Sequence, residues 1–237
     1  MSEISVVLEQ YAPEYGIVLS GGMLEQLELY ADTLIKMSEK MNLTAITQPF
    51  EIAVKHFLDS LLPLDAVEIP EGASLIDVGS GAGFPGVMMK IARPDIKLTL
   101  LDSMKKRTEF LSELSSLLGQ DNVIIRARAE DAGRDEAHRE QYDFSAARAV
   151  APLPALCEYC LPFVKPGGGF IALKGPDARR EAEESKRALS LLSGEIHAVK
   201  DFSLPPDSTR SIVIIKKISQ IPAKYPRSAA KITKTPL

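Results

Sequence analysis

Residues 75–86 read LIDVGSGAGFPG, the end of an apolar strand followed by four glycines in eight positions. Glycines at a strand end let the backbone approach a ligand closely, and the helix that follows aims its positive end at the same place. The stretch parses as Gly79-x-Gly81-x-Gly83 or as Gly81-x-Gly83-x-x-Gly86, and the two spacings belong to different cofactors. Asp77, two residues before Gly79, would repel a pyrophosphate but can brace the loop or face a ligand ammonium. Asp102 ends the next candidate strand, roughly twenty residues on, where a carboxylate can accept both ribose hydroxyls of either cofactor. No stretch of the chain has the size of a separate substrate domain. The balance favours S-adenosylmethionine over a nicotinamide dinucleotide, with Gly86 then packing the following helix close to the sheet.

Outward from that loop, short apolar runs alternate with amphipathic segments, the texture of a mostly parallel sheet covered by helices. SLIDVG, KLTLLD, NVIIRA, YDFSAARA and GGFIALKG read as strands. PGVMMKIARP reads as a helix with Pro85 at its first position, where the missing N–H costs nothing. KKRTEFLSELSSLLG turns Phe110, Leu114 and Leu117 or Leu118 to one face and stops at Gly119. EIHAVKDFSLPPDSTRSIVIIKK predicts a closing hairpin that adds an antiparallel edge. Ahead of the sheet, Leu24, Leu27, Tyr30, Leu34 and Met37 recur near helical spacing, and PFEIAVKHFLDSLLPL repeats the style after Pro49. Pro70 and Gly72 punctuate the end of this region. The expected organisation is a helical cap over 1–72, a Rossmann-like domain over 73–218 and a basic tail over 219–237.

The 237 residues are 45% hydrophobic and 25% charged, ordinary for a soluble protein, and no apolar run approaches the roughly 20 residues of a membrane helix. An acidic start, MSEISVVLEQYAPEY, is unlike a signal peptide, so a cytoplasmic location is expected. Six of the 28 basic residues and none of the 32 acidic ones lie from Lys216 onward, leaving the preceding residues 22 against 32, a net of −10. An acidic body with a basic tail suits contact with a polyanion, or a tail that only solubilises. Cys157 and Cys160 form a lone C-x-x-C, and His56, His138 and His197 are scattered, so no metal site is expected. Two thiols one turn apart on a half-buried helix is the plain reading.

NLTAI, KHFLDSL, DVGSGAGFPG, LLDSMKKRTEFL, ARAED, AARAVAPL, ALKG and the ending KYPRSAAKITKTPL together resemble the RsmG family, also called GidB, over nearly the whole chain. The resemblance implies an α/β, class I S-adenosylmethionine-dependent methyltransferase fold with a helical N-terminal extension. It also implies action on N7 of a guanine, guanine 527, in 16S ribosomal RNA. The expected partner is that RNA or a small-subunit particle, and the expected state a monomer. The family's cofactor contacts carry over to Gly79, Phe84, Ala129, Glu130 and Arg148.

Those positions make physical sense beside the residues' own chemistry. Asp77, Gly79, Gly81 and Gly83 carry the loop signal, and Phe84 walls the pocket unless it belongs to the core. Asp102 is added for the ribose; Ala129 and Glu130 end the third strand, facing the adenine, unless Glu130 is a solvated charge at a helix start. Guanine N7 has a free lone pair beside O6, so no obligatory general base is expected. Lys174, at the end of the fifth strand, is placed for the target base or its phosphate, or is an exposed strand-end lysine; Arg148 is placed for cofactor carboxylate and RNA. These two are the catalytic candidates. Lys105, Lys106, Arg107, Arg128, Arg210 and the tail are the candidate phosphate contacts, with His56 and Phe57 at the mouth to stack on a splayed base, or in the core. The same residues leave open a small-molecule methyltransferase, an NAD-dependent oxidoreductase and a non-catalytic RNA-binding protein.

Overall fold

The computed structural model describes residues 2–237. One sheet holds β1 (Ser74–Val78), β2 (Lys97–Asp102), β3 (Val123–Arg126), β4 (Tyr142–Arg148), β5 (Val164–Lys174), β6 (Gly194–Leu204) and β7 (Ser208–Lys217). Their order is β3-β2-β1-β4-β5-β7-β6. The first five are mutually parallel, and β7 runs antiparallel between β5 and β6, as the C-terminal hairpin expectation required. β5 starts at Val164, ahead of the run GGFIALKG, because a register shift opposite Tyr142 and Phe144 lets the Pro166-containing stretch pass.

Parallel strands bury both faces, and the pleat sends successive residues to opposite sides. Leu75, Leu100, Ala146 and Ile171 join one apolar cluster, while their neighbours Ile76, Leu101, Ala147 and Ala172 join the other. The first face is covered by α1 (Glu3–Tyr11), α2 (Gly21–Met41), a helical run over 49–66, α3 (Gly86–Ala92) and α4 (Lys105–Leu117). After α5 (Ala129–Ala132), the second face is covered by α6 (Leu153–Cys160), α7 (Ala178–Glu184) and α8 (Lys186–Leu191), and α9 (Ala229–Lys234) closes the chain. The N-terminal helices therefore share one core with the sheet. Leu27, Tyr30 and Leu34 of α2 are fully buried there, and Ser20 caps that helix by accepting from the Met23 N–H at 3.3 Å.

Two details differ from the sequence reading. The middle of PFEIAVKHFLDSLLPL winds as a π-helix over Ile52–Leu58, a wider turn that often marks a functional site. Pro85 precedes the first residue of α3 and does not occupy it. In α4, Leu118 beyond its end is buried and Leu117 exposed.

A methyl group on Gly86 would lie 2.9 Å from Asp77 Cβ and 3.0 Å from Leu98 Cδ1, so α3 sits tight on β1 and β2 because this residue has no side chain. Gly22, near the start of α2, has open space around it. Gly86→Ala is expected to cost about 1–3 kcal/mol through overpacking, whereas Gly22→Ala should leave stability unchanged or raise it by up to about 1 kcal/mol. Urea unfolding of the two variants checks the contrast.

Candidate active site

A cleft of about 1090 Å³ opens at the C-terminal ends of β1, β2 and β4, where the strand order reverses between β1 and β4. It is lined from Arg128 and Glu130 at one end, through Asp102 and Gly79, to Thr44 and His56 of the N-terminal helices at the other.

The glycine loop needs its glycines for two different reasons. Gly79, Gly81 and Gly83 all have left-handed φ, at 73°, 59° and 99°. Gly79 and Gly81 line the cleft, and a methyl group on Gly81 would meet nothing nearer than the Gly79 carbonyl at 3.8 Å, which leaves an open backbone cradle. Gly83 does not line it: its Cβ would fall 2.8 Å from the Tyr30 hydroxyl and 2.9 Å from Val87. That glycine admits α2, whose Tyr30 hydroxyl donates to the Ala82 carbonyl at 2.5 Å. Gly83 is thus corrected from a cofactor contact to a packing position.

Asp77 is likewise a brace. Fully buried beneath the loop, it accepts from the Gly86 N–H through Oδ2 at 3.0 Å, and its Oδ1 has no partner among the described residues. Burial pushes its carboxyl up to about 7, against the pull of that hydrogen bond and of Arg148. Asp102 does reach the cleft, and it pins two strand ends together: Oδ2 accepts from the Gly81 N–H at 3.0 Å and Oδ1 from the Met104 N–H at 2.9 Å. Open cradle, strand-end carboxylate and elongated cleft fit a nucleoside carrying an amino-acid tail.

At the other end the geometry converges on Arg148. Its Nη1 donates to Asp59 Oδ2 at 2.9 Å, to Ser60 Oγ at 3.1 Å and to the carbonyls of Lys55 and His56 at 3.3 Å. The guanidinium carbon lies 4.5 Å over the Phe84 ring, which also stacks with His56 at 4.7 Å and Tyr30 at 5.2 Å. Phe84 is at once cleft wall and core. His56 has Nε2 2.8 Å from Thr44 Oγ1 and Nδ1 3.4 Å from Arg148 Nη2. Burial, reinforced by the Arg148 charge, lowers its pKa to about 4, so it is a neutral imidazole near pH 7. Phe57 is wholly buried in the core and leaves the mouth to His56.

Four cations sit elsewhere than the sequence suggested. Lys174 does not line the cleft; its Nζ is 2.7 Å from Glu181 and donates to the Ala151 carbonyl at 3.1 Å. Glu181 also accepts from the Leu153 N–H at 2.6 Å, so this pair fastens the 149–152 segment that forms the cleft wall. Arg210 is spent on the second oxygen of Asp59 at 3.1 Å, tying β7 to the helical run. In the tail, Arg227 grips the buried Glu158 through contacts of 2.6 to 3.0 Å, and Lys217 is buried against Glu140 at 2.7 Å. Lys105, Lys106 and Arg128 are exposed near the cleft, and Arg107 reaches towards Asp102 at 3.5 Å. Ala129 and Glu130 do line the cleft, but they open α5 instead of ending β3.

Asp59, Glu158, Glu181 and the tail residues Ala229 and Ile232, which wall the cleft, escaped sequence reading. The available signal was an acid set in an apolar helical run, as in HFLDSLL and ALCEYC. Cys157 and Cys160 are buried with free thiols, and burial pushes both upward in pKa.

The Asp77 carboxyl has a testable consequence. A pKa raised on folding contributes stability that is full below the usual carboxylate value and is lost as pH rises through about 7. Wild-type stability relative to Asp77→Asn should therefore fall between pH 4 and pH 7, by at most on the order of 4 kcal/mol. Parallel denaturation curves for the two proteins across that range check the sign.

Residues 23–213 match the family model described as rRNA small subunit methyltransferase G, GidB. Over 237 residues the chain is 47% identical to the ribosomal RNA small subunit methyltransferase G of Alkaliphilus metalliredigens (strain QYMF), covering 99% of both. It is 50% identical over 233 residues to the protein of that name from Thermoanaerobacter sp. (strain X514), covering 98% of this chain and 97% of the relative. Among solved structures, geranyl diphosphate C-methyltransferase from Streptomyces coelicolor A3(2), held with S-adenosyl-L-homocysteine, superposes with TM-score 0.54 at 14% identity over 67% of this chain and 78% of its own. TrmN from Thermus thermophilus superposes with TM-score 0.52 at 17% identity over 68% of this chain and 48% of its own. These two likenesses show the fold, a class I methyltransferase with an added N-terminal helical region. S-adenosylmethionine is the cofactor that goes with this fold and cleft. A family model spanning most of the chain and relatives matched end to end mean that the chain belongs to the rRNA small subunit methyltransferase G (GidB) family.

Proposed function

We propose that this protein methylates N7 of a guanine in 16S ribosomal RNA, guanine 527 by family resemblance, working as a cytoplasmic monomer on RNA or a small-subunit particle. The observation that carries the reading is the state of His56, the imidazole lining the cleft. Both its nitrogens are engaged, by Thr44 and by Arg148, and its depressed pKa keeps it neutral. A cleft histidine with neither nitrogen free suits an acceptor that needs no base, and guanine N7 presents a lone pair without first losing a proton.

When bound, S-adenosylmethionine supplies the electrophilic methyl group. The protein's own work is placement. Gly79 and Gly81 offer the backbone cradle, Asp102 a carboxylate for sugar hydroxyls, and Ala129 with Glu130 the far wall. Phe84 closes the side against the core, while Lys174 and Glu181 hold the 149–152 segment in position. Lys174 is therefore a positioning residue and Arg148 the organiser of the cap edge. Phosphates meet Lys105, Lys106, Arg107 and Arg128 on the rim and Lys231 and Lys234 of α9; of these, Arg107 also keeps an ion pair with Asp102 at 3.5 Å.

The decisive experiment maps 7-methylguanine in 16S RNA from cells with and without the gene. Loss of one modified guanine on deletion, restored by the wild-type gene, is the expected result; an unchanged map overturns the reading. RNA affinity offers a second check. With about five phosphate contacts at a slope of about −0.7 each, it should fall roughly hundredfold between 50 and 200 mM salt. An affinity indifferent to salt would contradict the rim assignment.

A further inference from the structure

We infer that the Thr44 hydroxyl is the group that selects guanine, donating a hydrogen bond to O6 of the target base. The inference rests on the guanine-N7 reading above and begins from a proton count. An arginine can only donate, so His56 Nδ1, 3.4 Å from Arg148 Nη2, offers its lone pair there, the guanidinium charge outweighing the pull of the Lys55 carbonyl on an imidazole proton. In a neutral imidazole the proton then resides on Nε2, which donates to Thr44 Oγ1 at 2.8 Å. The same oxygen accepts from the Ile46 N–H at 3.0 Å. Both lone pairs of Thr44 Oγ1 are occupied, which leaves its own O–H as a donor with no acceptor among the described residues.

Thr44 lines the cleft at the edge contributed by the N-terminal helices. That edge lies beside β1 and β4, since His56 stacks on Phe84 of the β1 loop and contacts Arg148 of β4. Asp102 and the Ala129–Glu130 pair belong to the β2 and β3 side, where the nucleoside half of the cofactor has its carboxylate partner. The reacting end and the target base therefore fall on Thr44's side.

A donor that cannot accept reads one difference between the purines. Guanine presents O6, an acceptor, beside N7, whereas adenine presents an amino donor at the corresponding place. The chain Arg148 to His56 to Thr44 fixes the direction of that donor from the protein's interior. It orients guanine with N7 free and leaves adenine facing an unpaired hydroxyl. Sequence spacing gave no hint of this role, because Thr44 owes it to the tautomer of a histidine twelve positions away.

The test pairs protein and substrate changes. Wild type, Thr44→Val and Thr44→Ser are assayed on small-subunit RNA, assembled into particles where needed, carrying guanine or 2-aminopurine at the target position. 2-Aminopurine keeps N7 and lacks O6. Expected are a roughly 10-fold loss of kcat/KM for Thr44→Val on guanine, near-normal Thr44→Ser, and unchanged S-adenosylmethionine affinity by calorimetry. On 2-aminopurine the wild type should drop to the level of the valine variant, which should lose nothing further. Equal losses on both RNAs, or full activity of Thr44→Val, overturn the assignment. A wild-type product other than 7-methylguanine defeats the guanine reading and the Thr44 role together, whereas 7-methylguanine with equal losses defeats Thr44 alone.

Discussion

One guanidinium, that of Arg148, holds together the three parts from which the cleft is made. It stands at the end of β4, grips Asp59, Ser60 and two carbonyls of the helical run, and covers the face of Phe84 in the glycine loop. A charge so little exposed is tolerable only with a partner and with its donors satisfied. Asp59 supplies the charge, and its other oxygen recruits Arg210 from β7. Sheet, loop, N-terminal helices and C-terminal hairpin thus meet at one buried carboxylate. Removing either member of the central pair would strand the other in the interior, which is more costly than any exposed ion pair on this surface.

The same contact sets the chemistry of the cleft's edge. Burial, with the Arg148 charge beside it, keeps His56 from taking up a proton, and the guanidinium's donation fixes which nitrogen carries the one proton that remains. The π-helical turn matters here because the carbonyls of Lys55 and His56, which it contains, face the guanidinium. Across the cleft, ion pairs of the same kind do the same sort of work: Lys174 with Glu181 fastens the wall after β4, and Arg227 with Glu158 fastens α9. Buried pairs hold the walls, and the cations left exposed on the rim remain for phosphate.

Much of this was legible in the sequence. The strands and the closing hairpin follow from apolar runs separated by amphipathic helices, though their order in the sheet does not, and Gly79, Gly81 and Asp102 stand where close approach and a strand-end carboxylate are needed. Gly86 packs α3 on the sheet, as its place in the second parsing implied. What sequence could not show was which partner each polar residue would find. Lys174 reads as a strand-end cation reaching outward until Glu181, seven positions on and across a turn, draws it under the wall. Gly83 shares the spacing of its neighbours but faces Tyr30, more than fifty residues upstream, and Asp77 turns beneath the loop towards the Gly86 N–H. Local periodicity reports burial and backbone shape; long-range pairing of charges is a property of the assembled fold.

The central claim is that a single cleft organised by Arg148 seats the cofactor along the strand ends and leaves its methyl-bearing end beside the N-terminal helices. A crystal structure with S-adenosyl-L-homocysteine measures this directly. The expected density has the ribose at Asp102, the adenine against Ala129 and Glu130, and Arg148 still paired with Asp59. A nucleoside bound away from Asp102, or an Arg148 released from Asp59 in the complex, would contradict it.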